Sequence, residues 1–135
     1  MLFRIIYSSR SRCTPGEAAK LLDHSRTNNA RIDVTGALYL SDGRFLQYLE
    51  GEKEVVGSLY QRISLDRRHT ECQLLDQRPI SRRVYSGWSM AWLPESSCAG
   101  LLMTTLVSDS ERLEDLSGAS IGAFFYAMAQ TEECR

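Results

Sequence analysis

IDVTGALYLSDGRFLQYLEG, residues 32–51, decides the fold. Two runs of alternating apolar residues meet at Asp42-Gly43, a dipeptide that hairpin turns favour because it tolerates positive φ. The pattern predicts a β-hairpin with strands over 32–40 and 44–51. In the second strand Phe45, Gln47 and Leu49 share one face, and the two apolar neighbours predict that this face is buried. Gln47 brings an amide into it, with two donors and an acceptor that need partners. Left unpaired, such a group costs roughly 1–3 kcal/mol.

Outward from the hairpin, LFRIIY (2–7) reads as a strand with Phe3, Ile5 and Tyr7 on one face. TPGEAAKLLDHSRTNN (14–29) opens with helix-start chemistry. Thr14 is the expected N-cap, Pro15 the first helical residue, and Glu17 completes a capping box. At 100° per residue Ala18, Leu22, Ser25 and Asn29 form one stripe with Leu21 at its edge, so Asn29 is a second polar residue in an apolar line. A second helix is expected over 52–68, with Val55, Val56, Leu59 and Ile63 inward and Asp66 continuing the stripe. Glu52 and Glu54 begin it and Arg62, Arg67 and Arg68 end it, as the helix dipole favours.

CQLLDQRPI (72–80) and VYSGWSMAW (84–92) complete the pattern as two further strands. In the last, Trp88, Met90 and Trp92 alternate with small residues. The order βαββαββ argues an α+β domain with two helices on one face of a mixed sheet. Beyond Pro94, LLMTTL, ERLEDLSG and SIGAFFYAM predict further helix, with Ile121, Phe124, Phe125 and Met128 as an apolar stripe. This segment is expected to cover the open face of the sheet or to pack on a partner. The expected division is a domain over 2–93 and a helical extension over 94–135.

A chain of 135 residues with 43% hydrophobic and 24% charged side chains is long enough for one domain with a real core. Its formal net charge of −1 gives no global reason to bind nucleic acid or an anionic membrane. Cys13, Cys72, Cys98 and Cys134 lack the spacing of a zinc site and read as free thiols in a reducing compartment. No apolar run is long enough to span a bilayer, and the N-terminal MLFRIIYSS lacks the features of a signal peptide. The expected location is the cytoplasm.

Enzyme signatures are missing: there is no GxGxxG or P-loop after a strand, no HExxH and no GxSxG. With two histidines, His24 and His69, there is little for acid–base work, and His24 reads as a solvated or capping residue. What stands out is the set of polar residues on faces that should be apolar, namely Tyr7, Asn29, Gln47 and Asp66. Each can be satisfied locally, Asn29 by capping its helix and Gln47 by a neighbouring side chain. A planar heterocycle between the two helices would instead satisfy several at once. The residues alone name no such ligand.

IIYSSR, SRTNNARIDVTGALYL, GRFLQYLEG, LYQRISLDRRH and RRVYSGWSM, in this order, resemble the BLUF domain, a flavin-binding blue-light sensor module. The resemblance covers about residues 2–93 and rests on the combination rather than on any one piece. It implies a ferredoxin-like fold with FAD between the two helices and the isoalloxazine ring buried. It makes Tyr7 the photoactive tyrosine, Gln47 the switching glutamine and Asn29 the partner of the ring's C4 carbonyl side. Asn28, Asp66, Arg68 and His69 would hold the pyrimidine edge or the ribityl chain, and Phe45 and Ile63 would line the ring. Trp88 and Met90 match the strand that relays the signal.

The mechanism so implied is electron and proton transfer from Tyr7 by way of Gln47, whose amide ends rotated or tautomerised. It gives a reversible red shift and no net chemistry, so no enzyme activity is expected. The implied output is a downstream protein effector in trans or self-association, with no nucleic-acid or membrane partner. The competing reading is an RNA-binding or small catalytic module on the same general fold. The slightly acidic charge and the lack of an RNP-type setting argue against RNA.

Overall fold

The hairpin lies at the heart of a five-stranded sheet. The computed structural model describes residues 1–11, 14–41, 43–66, 69–94, 98–107 and 116–130. Its elements are β1 (Leu2–Ser11), α1 (Pro15–Arg31), β2 (Thr35–Ser41), β3 (Arg44–Glu52), α2 (Lys53–Ser64), β4 (His69–Pro79), β5 (Ala91–Pro94), α3 (Cys98–Leu106) and α4 (Gly118–Ala129). Strand order is β4-β1-β3-β2-β5. β5 runs parallel to β2, and every other pair is antiparallel. The expected α+β ferredoxin-like arrangement is therefore present, with α3 and α4 added to it.

Alternation along the strands divides the core in two. Ile5, Tyr7, Leu38, Phe45 and Leu49 pack with Leu21 of α1 and with Val56 and Leu59 of α2. On the other face Ile6, Ala37, Tyr39, Leu46 and Tyr48 meet Ile121, Phe124, Phe125 and Met128 of α4. The stripe expected in SIGAFFYAM thus covers the sheet face that the first two helices leave open. Rings carry much of that contact: Tyr48 lies 5.3 Å from Phe125 and Tyr39 lies 5.4 Å from Phe124, centroid to centroid. Fully burying one Phe is worth roughly 1.5–3 kcal/mol, which makes this a firm seat.

Local signals hold well in α1. Thr14 Oγ1 accepts from the Glu17 N–H, and Glu17 returns the bond to the Thr14 N–H, each at 3.2 Å. α2 ends at Ser64, earlier than expected, and Asp66 follows in a turn whose N–H bonds the Ile63 carbonyl at 3.0 Å. Arg67 and Arg68, placed by the sequence pattern at that helix end, lie outside the described residues, as does the Asp42 turn position.

The largest departure concerns residues 84–92, expected as one strand. β5 begins only at Ala91, and the ten residues before it are irregular. Glu50 is the cause. Its carboxylate, 0% exposed on the α4 face of β3, accepts the N–H of Val84 and the N–H of Tyr85, each at 2.8 Å, and the Thr35 hydroxyl at 2.7 Å. Arg83 adds bonds to Thr35 Oγ1 at 2.9 Å and to the Asp33 carbonyl at 2.8 Å. The Trp88 carbonyl then accepts from the Gly36 N–H at 3.1 Å. A Cβ at Gly36 would stand 2.0 Å from the Tyr48 carbonyl oxygen, so this close approach requires glycine.

These bonds occupy the backbone groups that a ladder would use. The alternation expected from Trp88 to Trp92 is corrected accordingly. Met90 and Trp92 pack on the α1 and α2 side, whereas Trp88 packs with the aromatic core beneath α4. Because the buried Glu50 carboxylate satisfies one buried and one half-buried amide, Glu50→Ala should lower stability by about 2–5 kcal/mol. Urea unfolding checks this, and an unchanged midpoint would refute the clamp.

A cleft between the two helices and the sheet

Four cross-strand neighbours make one row along the sheet: Tyr7 of β1, Gln47 of β3, Leu38 of β2 and Trp92 of β5. In the middle of the row the Tyr7 hydroxyl donates to Gln47 Oε1. Tyr7 is completely buried, and burial pushes its phenol well above the usual tyrosine value. It therefore keeps its proton and has it to donate here. The Gln47 amide nitrogen points the other way and donates to the Met90 sulfur at 3.5 Å. Both ends of the amide are thus engaged, one by a strong partner and one by a weak, polarisable one.

Asn29 reaches the same region from the last turn of α1 and is 2% exposed. Its carboxamide does not cap the helix: backbone N–H groups of Ile32 and Val34 bond its carbonyl oxygen on the main chain. Instead Nδ2 donates to the Ser89 carbonyl at 2.8 Å. Arg26, three residues earlier, donates from Nε to the Met90 carbonyl at 3.0 Å. α1 therefore positions the irregular segment that carries Met90.

Above the row a cleft of about 130 Å³ opens between α1 and α2. Its apolar walls come from Leu21, Leu38, Leu59 and Ile63. Its polar edge comes from Tyr7, Asn28, Asn29, Gln47 and Asp66, and His24, Ser25 and Arg62 also line it. Apolar faces with a few convergent amides suit a flat ring that carries carbonyls and ring nitrogens. Among the described residues no cluster of His, Cys, Asp and Glu could hold a metal ion.

Of the residues named from the sequence, Tyr7, Asn28, Asn29, Gln47, Ile63 and Asp66 meet at this cleft. Phe45 is buried in the layer beneath α1 and α2 and does not line it. Trp88 stands on the opposite face of the sheet, and Met90 contacts Gln47. His69 starts β4, but its side chain, like all of Arg68, lies outside the described residues. Pattern reading missed three residues that support the cleft. Glu50 and Arg26 act through bonds to chain segments far away in sequence, which leave no periodic trace. Tyr60 was legible in principle, because it is next to Leu59 at the edge of the α2 stripe. Its ring packs behind Tyr7, 5.2 Å between centroids at 57°.

Comparison with known proteins agrees with this geometry. Residues 2–91 match BLUF, described as sensors of blue-light using FAD. The photoactivated adenylate cyclase subunit beta of Euglena gracilis is 34% identical over 93 residues, which cover 66% of this chain and 11% of that protein. The chain therefore spans a small part of the length of the curated relatives it matches. Among solved structures, BlrB, a BLUF protein in its dark state, superposes with a TM-score of 0.78 at 31% identity, covering 95% of each chain. The photo-activated state of BlsA gives 0.87 at 24% identity, covering 98% of this chain and 97% of that one, a likeness of fold. With the family match spanning both helices, the whole cleft and the Tyr7–Gln47 pair, the chain belongs to the BLUF family, the sensors of blue light using FAD.

Proposed function

We propose that this protein is a blue-light photoreceptor in which Tyr7 and Gln47 form the switching pair. The observation that carries the reading is the buried Tyr7–Gln47 hydrogen bond, set at the floor of a cleft with apolar walls and an amide edge. The cleft residues fit a flavin. Leu21, Leu38, Leu59 and Ile63 offer dry surfaces for the ring faces, while Asn28, Asn29 and Gln47 offer donors and acceptors for its edge. Bound there, FAD supplies the blue-light absorption and, once excited, an acceptor for one electron and one proton.

The remaining steps belong to the chain. Tyr7 gives up the electron, and its phenol proton leaves along the existing bond to Gln47 Oε1. Gln47 carries the proton across, and its amide rotates or tautomerises before the electron and proton return to Tyr7. With FAD bound, the amide in its new form would be the donor to the ring's edge, and stronger donation there would move the absorption to the red. Burial keeps water away from Tyr7, so the proton has one route. A neutral amide suits the role, because a carboxylate at position 47 would bring charge to the ring and remove the donors. Asn29 would hold the C4 carbonyl side of the cofactor, and Asn28 and Asp66 would hold its pyrimidine edge or ribityl chain. Arg68 and His69 would complete that set, and Phe45 would support the apolar floor from the layer beneath.

Signal relay follows from contact. Gln47 touches Met90, Met90 continues into β5, and the other end of the same segment reaches α4 through Tyr85, whose hydroxyl donates to the Phe125 carbonyl at 2.7 Å. Trp88 sits between these ends against the aromatic core. The division that results is a sensor over 2–93 and an output extension over 94–135. The extension answers to a protein effector in trans or to a second copy, and among its described residues Leu101 and Tyr126 are exposed large apolar side chains. Among the described residues no helix is long and apolar enough to cross a membrane.

Spectra of the purified protein, recorded in the dark, after blue light and again in the dark, should show oxidised flavin with a reversible red shift. Colourless protein or irreversible bleaching would end the reading. Gln47→Leu should keep the flavin and lose the shift, whereas a normal shift in that variant would remove Gln47 from the switch. Tyr7→Phe should block the ordinary photocycle in the same assay. Hydrogen exchange in α4 should differ between dark and lit protein; identical exchange would argue against α4 as the output element.

A further inference from the structure

Met90 has no ladder to hold it beside Gln47. The pairing of β5 with β2 starts one residue later, at Ala91 opposite Ala37. What fixes the Met90 backbone comes from α1, where Arg26 Nε donates to its carbonyl at 3.0 Å. Arg26 is not among the residues that line the cleft. Its side chain is 41% exposed, with Nη1 3.9 Å from Asp23 Oδ1, whereas Met90 is 1% exposed. An exposed pair at that distance contributes little by itself. The charge-assisted bond to the Met90 carbonyl is the stronger contact. A surface cation thus sets the depth of a buried sulfur that touches the switching amide.

We propose that Arg26 is a positioning residue that sets the lifetime of the light-induced state. By pinning the Met90 carbonyl it keeps the sulfur against Gln47 Nε2 in the dark arrangement, and the return to that arrangement has to re-form the bond. The inference rests on the reading of Gln47 as the switch. It assigns to α1 a control over recovery that is separate from holding the cofactor. Arg26 is half-buried, and its side chain lies outside both buried cores.

The test compares Arg26→Met, which keeps the length and removes the donor, with Arg26→Gln, which keeps a neutral donor. Lys20→Met, elsewhere on α1, is the control. In protein loaded with FAD, dark recovery of Arg26→Met should slow about tenfold, the size expected for one hydrogen bond to a charged donor. Arg26→Gln should fall between it and the wild type, and Lys20→Met should recover normally. In cofactor-free protein, amide exchange of residues 88–91 should quicken in Arg26→Met and not in Lys20→Met. A wild type that shifts reversibly beside an Arg26→Met variant recovering within about twofold of it overturns this proposal and leaves the photoreceptor reading intact. Without any reversible shift in the wild type the switch reading itself fails. Unchanged exchange at 88–91 overturns the positioning role in either case.

Discussion

The register of β1 against β3 places Tyr7 directly across from Gln47, and the rest of the site is arranged around that pairing. Both strands are interior to the sheet, with β4 outside β1 and β2 beside β3, so the pair is enclosed within its own layer. Ile5, Phe45 and Leu49 pack in the same face and keep it dry. Side chains alternate along a strand, so a slip of one residue would turn Gln47 toward α4 and bring Tyr48 into the cleft. Two buried cores, one on each face, resist such a slip because every strand would have to exchange its apolar faces at once.

The two faces carry different chemistry for the same reason. On the α1 and α2 side the polar residues converge on a cleft, and on the α4 side the aromatic side chains close tightly around the buried Glu50 carboxylate. Segment 84–90 passes from one side to the other. At its start Tyr85 is anchored to Glu50 and to α4, and at its end Met90 is anchored to Arg26 and touches Gln47. A regular strand could not do this, because strict alternation would commit Trp88 and Met90 to one face. The irregular backbone is held by side chains from α1, β2 and β3, which gives the segment many partners and no ladder of its own.

Such a segment can rearrange at lower cost than a paired strand. Its hydrogen bonds are individually modest, and each can be lost without unfolding a strand. The contact between Gln47 and Met90 is the weakest bond in the set, since a thioether is a poor acceptor. A change in what the amide donates or accepts therefore acts first on Met90. Competing forces are larger on the α4 side, where aromatic burial dominates.

Much of this molecule is legible from local chemistry. The capping box at Thr14 and Glu17, the positive φ of Gly43, the period of two in β1, β2 and β3, and the stripe of α4 each follow from a few adjacent residues. The misplaced amide of Gln47 is visible for the same reason, as a break in a pattern whose period is known. The path of 84–90 was decided by tertiary structure, as were the sides taken by Trp88 and Met90 and the supporting roles of Glu50 and Arg26. Those depend on hydrogen bonds between groups more than thirty residues apart, such as Val84 with Glu50 at a separation of 34. Periodicity records which side of an element faces the core. Which distant carbonyl or amide a buried charge will meet is settled only when the layers close around it.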